Sequence, residues 1–471
     1  MGDRGVTTWA GKRVCVAGIG VSGAAAARVL LRLGAEVVAV DAAREGPAAD
    51  RAAELEALGA SVRLGPDAVS AAGLPGGVDL VVTSPGWRPD QPLLVAAQAA
   101  GTPVWGEVEL AWQLRSGDPP APWLALTGTN GKTTTVRMLA AMLVAGGRRA
   151  VAVGNVGTPL VEAVRTPGID VLAVELSSFQ LHWSASLRPL AAAVLNVAPD
   201  HLDWHGSMTA YAAAKGRIYA PGTVAVYNAD DDWSARLAAA SADRVGFTLR
   251  RPEPGQLGVW AGELLDRVGV PLATVADVRP AAPHNIANAL AAAALAGAYG
   301  VAPGAVREGL RSFVPDPHRI AHVADVGGVA YVDDSKATNP HAAAASLGAY
   351  RSVVWIAGGL AKGARFDELV QEALPRLRGV VLVGADRQVI RDALARHAAE
   401  VPAVEIAAPE TGGVQVMAAA VRAAARLAGP GDTVLLAPAC ASMDLFANYG
   451  ERGDAFAAAV RALPERSEAG A

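Results

Sequence analysis

Residues 123–134 have the sequence Trp-Leu-Ala-Leu-Thr-Gly-Thr-Asn-Gly-Lys-Thr-Thr, and they indicate the fold class of the chain. An apolar strand, a glycine-rich turn and the start of a helix follow one another directly. Backbone N–H groups of such a turn converge on phosphate oxygens at the helix N-terminus. Lys132 is spaced to reach the β- and γ-phosphates, and the Thr133 hydroxyl is spaced to reach Mg²⁺. The common form of this loop has Gly where this chain has Leu126, so the stretch predicts a variant phosphate-binding loop, with an ordinary strand-to-helix turn as the alternative.

The same order of strand, turn and helix recurs on both sides of this stretch. A proline-rich segment at residues 116–122 and a second one at residues 315–317 interrupt it. We therefore predict an α/β protein of three consecutive domains, bounded at 1–116, 117–314 and 315–471.

Composition excludes several classes of protein. The chain has 471 residues, 41 basic and 45 acidic side chains and a net charge of −4, which argues against nucleic acid as a partner. Its longest apolar run, 289–303, is shorter than the roughly 20 residues of a membrane span, so we predict a packed helix there. Residues 1–4 lead straight to a strand, and Cys15 and Cys440 offer neither a disulfide framework nor metal-ligand spacing. We expect a cytoplasmic protein without a membrane partner.

Lysine is rare in this chain. Five lysines stand beside 36 arginines, and four of the five, all except Lys12, lie within the motifs described here. A lysine amine can react or lose its proton, whereas a guanidinium cannot, so these positions are candidates for chemistry. Chance is the alternative in so small a sample.

Two further strand ends of the central region carry candidate metal ligands. Glu175 ends the strand at 171–174, where a carboxylate can hold Mg²⁺ or simply be solvated. Residues 196–203 follow the next strand and place His201 between Asp200 and Asp203, as ligands or as a hydrogen-bonded turn. Lys215 is isolated in an apolar helical stretch, and a surface lysine is the ordinary interpretation there.

The first domain carries the dinucleotide fingerprint. Gly18-Ile-Gly-Val-Ser-Gly23 follows the first strand, and Asp41 ends the second strand. This pattern indicates a diphosphate at a helix N-terminus and a carboxylate near a ribose, so it fits an NAD enzyme or a UDP-linked substrate. The loop at 83–86 ends another strand and is expected to line the same crevice.

Three loops at strand ends mark a binding face in the third domain. They are residues 333–339, 358–363 and 437–446. Each alone is compatible with a turn, but together they predict a site at the carboxyl edge of one sheet.

Taken together, these motifs resemble those of the Mur ligases, the ATP-dependent peptide-bond-forming enzymes of peptidoglycan synthesis. The resemblance extends from Gly18 to Phe456, and it is greatest to the D-glutamate-adding members of the family. The segments that carry it are 127–134, Glu175, 200–201, 284–288, 334–339 and 438–442 with Phe446.

The resemblance implies a Rossmann-like UDP-binding domain, a central P-loop ATPase domain and a Rossmann-like C-terminal domain. It implies that ATP phosphorylates the carboxylate of UDP-N-acetylmuramoyl-L-alanine and that the amine of D-glutamate attacks the acyl phosphate. It also implies two Mg²⁺ ions, a monomer, and a role in the cell wall, cell shape and division.

The resemblance also assigns individual residues. The implied catalytic residues are Lys132, His201, Lys215 and Lys336. The implied metal ligands are Thr133, Glu175, His201 and Lys215, the last as a carbamate. The implied ATP contacts are Gly128, Thr129, Asn130, Gly131, Lys132, Thr133, Thr134, Asn285, Asn288, Arg319 and Asp334. The implied substrate contacts are Ser22, Asp41 and Gly86 for UDP, Asn155, Ser177 and Gln180 for muramoyl-alanine, and Lys336, Thr338, Lys362, Ser442 and Phe446 for D-glutamate.

Three alternatives are weighed against this function. Another amino-acid ligase of the same family differs from it in the residues of the 334–339 segment. An NAD-dependent oxidoreductase fits the Gly18 fingerprint but does not explain the Lys132 loop. A non-catalytic nucleotide-binding scaffold does not explain the presence of Lys132, Glu175, His201 and Lys215 together.

Overall fold

The computed structural model describes residues 9–407 and 412–464, so the N-terminal residues 1–4 considered above lie outside it. Within the described residues the chain forms three β-sheets of five, nine and six strands. Contacts divide it into two compact units, one of Met1–Val278 with Ile286–Phe313 and one of Arg279–Asn285 with Val314–Ala471. The first unit holds two of the sheets and the second unit holds the third. The predicted α/β class is confirmed.

The first sheet is parallel, with the strand order β3-β2-β1-β4-β5. Apolar β-branched runs form its central strands because both faces are covered by helices. The strands are β1 (Arg13–Ala17), β2 (Glu36–Asp41), β3 (Ser61–Leu64), β4 (Leu80–Thr83) and β5 (Val104–Gly106). The helices are α1 (Val21–Arg32), α2 (Pro47–Ala57), α3 (Pro92–Ala99) and α4 (Glu107–Gln113).

The second sheet has the order β14-β13-β12-β11-β10-β9-β6-β8-β7, parallel from β7 to β12 and antiparallel beyond. Its strands are β6 (Trp123–Thr127), β7 (Ala150–Gly154), β8 (Val171–Glu175), β9 (Ala191–Val194), β10 (Val224–Asn228), β11 (Arg244–Phe247), β12 (Gln256–Trp260), β13 (Glu263–Leu265) and β14 (Pro271–Thr274). Its helices are α5 (Lys132–Ala145), α6 (Leu160–Ala163), α7 (Ser178–His182), α8 (Leu202–His205), α9 (Met208–Gly216), α10 (Asp232–Ala238), α11 (Pro283–Ala298) and α12 (Pro303–Ser312).

The third sheet has the order β15-β16-β20-β17-β18-β19, with only β15 antiparallel to its neighbour. Its strands are β15 (Ala321–Val326), β16 (Val329–Asp333), β17 (Val353–Gly358), β18 (Leu377–Val383), β19 (Ala403–Glu405) and β20 (Thr433–Leu436). Its helices are α13 (Pro340–Leu347), α14 (Asp367–Ala373), α15 (Arg387–His397), α16 (Gly413–Leu427) and α17 (Tyr449–Arg461).

Two helix predictions are confirmed by burial. The helix predicted after the glycine-rich turn is α5, and its residues Val136, Leu139 and Leu143 are fully buried. The packed helix predicted over 289–303 is present as far as Ala298, where α11 ends, and its residues 289–296 lie in the core. Among the residues that the structure describes, no helix is long and apolar enough to cross a membrane.

The strand orders explain where the motifs lie. In each sheet the strand that carries the key loop has parallel neighbours on both sides: β1 between β2 and β4, β6 between β8 and β9, and β20 between β16 and β17. The carboxyl ends of parallel strands meet at one edge, and ligands bind at such switch points. Residues far apart in sequence are therefore brought together at three edges.

Candidate active site

The predicted phosphate-binding loop joins β6 to α5. Gly131 caps the helix with φ +83°, a left-handed conformation that favours glycine, and a Cβ there would collide with the side-chain oxygen of Asn288. The Lys132 amine donates to the carbonyls of Gly128 and Thr129, each over 2.9 Å. The loop thus wraps around the lysine at a helix N-terminus, as phosphate binding requires.

Asn196, two residues after β9, holds this loop in place through hydrogen bonds. Its side-chain oxygen accepts from the N–H groups of Thr129 over 3.1 Å and Asn130 over 2.9 Å, and its amide donates to the Asn130 carbonyl over 3.1 Å. We did not predict this role. The signal for it was the position of Asn196 directly after a strand, the position that also carries the other motifs.

Glu175 is the last residue of β8, and it lies opposite Leu126 in the parallel pairing of β8 with β6. The side chain is only 1% exposed, so the alternative of a solvated strand terminus is wrong. The Asn155 amide donates to Oε1 over 2.9 Å, whereas Oε2 is buried without a hydrogen-bond partner in the described part of the chain. A buried carboxylate oxygen with spare acceptor capacity is the kind of ligand that Mg²⁺ takes.

Lys215 is also 1% exposed, so the interpretation as a surface lysine is wrong. Its amine donates to the Gly128 carbonyl over 2.7 Å and lies 4.5 Å from the ring centre of Tyr211. Burial, and after it the charge of Lys132, lowers the pKa of Lys215 well below its usual value. The helix α9 therefore places beside the glycine-rich loop a buried amine whose neutral form is favoured.

His201 precedes α8 in a left-handed conformation, with φ 52°. Its ring lies 4.8 Å from the ring of Phe179, and its Nε2 lies 3.6 Å from an oxygen of Asp200. Burial lowers the pKa of His201, while the Asp200 carboxylate opposes that shift. A neutral imidazole is the form that can bind a metal. Among the described residues, no three His, Cys, Asp or Glu side chains form a metal-binding group by themselves.

Aromatic and histidine side chains cluster around the loop that carries His201. The ring of His205 stacks on Phe179 and lies 4.4 Å from Trp204, and its Nε2 lies 3.0 Å from the Ser178 hydroxyl. Burial lowers the pKa of His205 to about 4. Local sequence patterns do not predict this cluster, because its members come from two helices, α7 and α8.

Ser177 and Gln180 form a capping box at the start of α7. The Ser177 hydroxyl accepts from the Gln180 N–H over 3.1 Å, and the Gln180 side chain accepts from the Ser177 N–H over 2.9 Å. These bonds position the segment that follows Glu175. The predicted contacts of both residues with muramoyl-alanine stay predictions.

In the first sheet, Asp41 orders the glycine-rich loop. Its two carboxylate oxygens accept from the N–H groups of Ile19 over 2.8 Å and Ala43 over 2.9 Å. The Ser84 hydroxyl donates to the Gly18 carbonyl over 2.9 Å, so the loops after β1 and β4 meet as expected. Ser22 is half-buried and Gly86 is exposed beside these loops, and their UDP contacts, like that of Asp41, stay predictions.

In the second unit the three predicted loops are joined by backbone hydrogen bonds. Leu360 and Ala441 pair as an isolated antiparallel bridge, and the Ala439 N–H donates to the Ala337 carbonyl over 2.9 Å. The loops after β16, β17 and β20 thus form one surface, as predicted. Lys362 is exposed on it, Thr338 is half-buried and Ser442 is buried.

Lys336 is paired with an aromatic ring that we did not predict. Its amine lies 3.8 Å from the ring centre of Tyr449, a cation–π geometry. Phe446, which the resemblance places beside D-glutamate, instead packs in the hydrophobic core around Val416 and Met417. Its role as a substrate contact remains a prediction, whereas Tyr449 is the aromatic residue that contacts Lys336.

Asp334 is buried at the end of β16. Its carboxylate accepts from the Ile320 N–H over 3.3 Å and from the Ser346 hydroxyl, and burial raises its pKa to about 6. The guanidinium of Arg319 opposes this shift and lies 3.6 Å from Asp316. Arg319 and Asp334, both predicted nucleotide contacts, are thus electrostatically linked.

Asn285 and Asn288, both predicted ATP contacts, belong to different units. Asn285 lies in the second unit and donates to the Pro280 carbonyl over 3.2 Å, whereas Asn288 lies in the first unit beside Gly131. Both side chains are buried.

Three family models match this chain. They are the Mur ligase MurD-like N-terminal domain over residues 12–106, the Mur ligase middle domain over 126–296 and the Mur ligase glutamate ligase domain over 318–440. The chain belongs to the Mur ligase family. The three models follow the three sheets, and this agrees with the predicted three-domain fold.

The sequence similarity to named proteins covers almost the full length of this chain. A Streptomyces avermitilis protein is 62% identical over 97% of this Mur ligase and all of its own length, and a Thermobifida fusca protein is 60% identical over 96% and 99%. Both are called UDP-N-acetylmuramoylalanine–D-glutamate ligase. The Thermotoga maritima UDP-N-acetylmuramate-alanine ligase structure is similar in fold, with a TM-score of 0.54, 20% identity and coverage of 95% and 99%.

Within the first unit, this Mur ligase brings Lys132, Lys215 and the loop 128–131 together, with Glu175 on the strand next to β6. These residues come from β8, α5 and α9. The first unit therefore contains a glycine-rich loop at a helix N-terminus, a buried carboxylate and a buried amine with a lowered pKa at one sheet edge.

Proposed function

We propose that this Mur ligase joins D-glutamate to UDP-N-acetylmuramoyl-L-alanine at the expense of ATP, in the synthesis of peptidoglycan precursors. The observation that carries the proposal is the convergence of the Lys132 and Lys215 amines on the Gly128 carbonyl. The Lys132 charge in a glycine-rich loop suits the transfer of a phosphoryl group. The names of the full-length relatives support D-glutamate as the acceptor.

The proposed chemistry has two steps. A carboxylate oxygen of the L-alanine moiety attacks the γ-phosphorus of ATP, the bond to the bridging oxygen breaks, and ADP leaves. The D-glutamate nitrogen then attacks the acyl carbon, loses a proton, and the tetrahedral intermediate expels phosphate to leave an amide. Lys132 stabilises negative charge on the phosphates throughout the first step.

Magnesium fits the residues beside the loop. Thr133 and Glu175 would hold one ion, and the buried Oε2 of Glu175 supports this assignment. Bound Mg²⁺ would neutralise phosphate charge. Within the chain itself, Asn155 orients the Glu175 carboxylate through its bond to Oε1.

A second ion would require a modified Lys215. A neutral amine adds to CO₂ and releases a proton, giving a carbamate whose oxygens can bind metal beside His201. The lowered pKa and burial of Lys215 support this modification, because a protonated amine cannot react. Arginine could not replace it, which accounts for a lysine in an arginine-rich chain.

The remaining site residues are those that the family resemblance implies. We propose Ser22, Asp41 and Gly86 for UDP, and Asn155, Ser177 and Gln180 for the muramoyl-alanine part. For the nucleotide we propose residues 128–134 with Asn285, Asn288, Arg319 and Asp334. For D-glutamate we propose Lys336, Thr338, Lys362, Ser442 and Phe446. We further propose domain bounds at 1–116, 117–314 and 315–471, a monomeric cytoplasmic enzyme, and a role in cell shape and division.

An amino-acid panel tests the function. The purified chain is given ATP, Mg²⁺ and UDP-N-acetylmuramoyl-L-alanine, and phosphate release is measured with D-glutamate, L-glutamate, L-alanine, L-lysine or meso-diaminopimelate. Release with D-glutamate alone is expected. Release with another amino acid but not with D-glutamate would assign a different ligase of the family, and no ATP consumption with any of them would refute a ligase function.

A further inference from the structure

Arg452 is a guanidinium enclosed within the second unit. It lies in the first turns of α17 and is only 2% exposed. Its Nε donates to the Ser335 hydroxyl over 2.9 Å, its Nη2 to the Ser335 carbonyl over 2.8 Å and its Nη1 to the Cys440 carbonyl over 3.1 Å. One side chain therefore holds backbone from two of the three loops of the binding face.

The Ser335 hydroxyl takes part in two hydrogen bonds with the start of α17. While the Ser335 hydroxyl accepts from Arg452, it donates to the backbone carbonyl of Tyr449 over 2.7 Å. Tyr449 and Arg452 thus attach the start of α17 to the residue that precedes Lys336. The ring of Tyr449 then lies under the Lys336 amine.

The packing around this turn leaves little freedom for α17 to move. At Gly453, a Cβ would collide with the ring of His318 and with the carboxylate of Asp333, which are themselves 2.6 Å apart. The His318 carbonyl accepts from the Lys336 N–H over 3.2 Å. The Lys336 backbone is therefore held on both sides, by Arg452 through Ser335 and by the His318 segment.

A buried guanidinium is costly unless its donors are satisfied in fixed directions. The planar fork of arginine can serve the hydroxyl and carbonyl of one residue and the carbonyl of another at once, whereas the compact ammonium of lysine cannot span the same three acceptors. The Arg452 guanidinium therefore fixes the positions of the two loops rather than binding solvent or ligand.

We propose that Arg452 is a positioning residue that sets the placement of Lys336 and of the 438–442 loop, and with it the affinity for D-glutamate. The inference rests on the proposed function, since Lys336 and Ser442 are its D-glutamate contacts. Arg452 does not itself touch the substrate. A displacement of about 1 Å in such a site costs up to about 100-fold in rate, so a shorter side chain that releases one loop has a measurable effect.

The test compares Arg452→Lys with Arg461→Lys, which changes an exposed arginine on the same helix. Initial rates are measured against D-glutamate, ATP and UDP-N-acetylmuramoyl-L-alanine in turn. For Arg452→Lys we expect the KM for D-glutamate to rise about tenfold or more, with the other two KM values within about twofold of the unsubstituted chain. Arg461→Lys should leave all three unchanged.

A structural role alone gives a different result. Equal loss across all three substrates, or lower stability with an unchanged KM for D-glutamate, would overturn the proposal. If Arg452→Lys does not fold, Ser335→Ala is held to the same criterion, since it removes the hydroxyl that accepts from Arg452 Nε and donates to the Tyr449 carbonyl. Failure of the unsubstituted chain to use D-glutamate would instead refute the proposed function, so the two failures are distinguishable.

Discussion

The amines of Lys132 and Lys215 donate hydrogen bonds to the same backbone oxygen, the carbonyl of Gly128, over 2.9 and 2.7 Å. Two ammonium groups at this spacing would repel each other strongly inside a protein. Burial and the charge of Lys132 lower the pKa of Lys215, so the neutral form is favoured at Lys215, while Lys132 is the candidate cation for phosphate. This division of roles underlies the predictions for the first unit.

Replacing Lys132 should remove catalysis and leave the fold intact. Its amine donates to the Gly128 and Thr129 carbonyls of its own loop, and its charge would stabilise the transferred phosphoryl group. Lys132→Ala should therefore lose about 100-fold or more in kcat, as for other groups that stabilise transition-state charge. Phosphate release and the thermal midpoint are measured together. Lys12→Ala is the control, because Lys12 is exposed and pairs with Asp79 over 3.1 Å. More than about a tenth of the original activity in Lys132→Ala would contradict this role for the loop.

The lowered pKa of Lys215 should affect how stability depends on pH. Between the lowered folded pKa and the usual value of 10.5, the unfolded chain binds a proton that the folded chain does not. Stability should therefore rise with pH, by up to about 1.4 kcal/mol per pH unit, and this contribution is absent in Lys215→Met. Urea unfolding of both proteins at pH 7, 8 and 9 in CO₂-free buffer measures it. A constant difference between them across that range would contradict the inference.

A carbamate on Lys215 should be replaceable by a small carboxylate. Lys215→Ala should be inactive and should regain part of its activity with acetate or propionate, because the acid can supply the missing oxygens beside His201. The readout is phosphate release at increasing acid concentration. Lys132→Ala serves as the comparison and should not respond. A Lys215→Ala protein that stays inactive at every concentration would count against the carbamate.

Mg²⁺ should stabilise the protein through Glu175. A ligand that binds only the folded state raises the free energy of unfolding by about 2.7 kcal/mol at 100 times its dissociation constant. The thermal midpoint should therefore rise with Mg²⁺ in the unsubstituted chain and in Glu253→Gln, which changes an exposed carboxylate. In Glu175→Gln the rise should be largely lost. An equal rise in all three proteins would place the ion elsewhere.

Asp334 should make the second unit less stable as the pH rises through its titration range. Burial raises the pKa of this carboxyl from 3.8 to about 6, so between these values the folded chain holds a proton that the unfolded chain has released. Stability should fall over this window by an amount on the order of 3 kcal/mol. Asp334→Asn should lack this fall, whereas the exposed Asp325→Asn should keep it. Urea unfolding from pH 4 to 7 measures the difference, and parallel curves for Asp334→Asn and the unsubstituted chain would refute it.

Local patterns were enough to identify the motifs. The loop at 127–134, the carboxylate at 175 and the glycine-rich turn after residue 17 each depend on a short run of residues at a strand end, where backbone geometry follows from the sequence itself. The repeated order of strand, turn and helix likewise predicted three α/β sheets. Parallel strands direct all their carboxyl ends to one edge, so the grouping of the third-unit loops was also predictable.

Long-range packing was not predictable in the same way. Arg452 looks like any arginine on an amphipathic helix, and only the structure reveals that it is buried against Ser335 and Cys440. The different positions of the Phe446 and Tyr449 rings could not be predicted for a similar reason. Both aromatic residues lie near the start of α17, and the sequence does not say which ring turns into the core and which faces Lys336.

The sequence by itself determined the fold class, the glycine-rich loop between a strand and a helix, and the family to which the motifs belong, because those depend on residue types at fixed local spacing. Only the tertiary structure decided that Lys215 is buried beside Gly128 with a lowered pKa, that Glu175 is buried, and that Arg452 joins two loops. Burial and hydrogen-bond partners arise from residues that are distant along the chain, and these surroundings, rather than residue type, set the charge and position of each group.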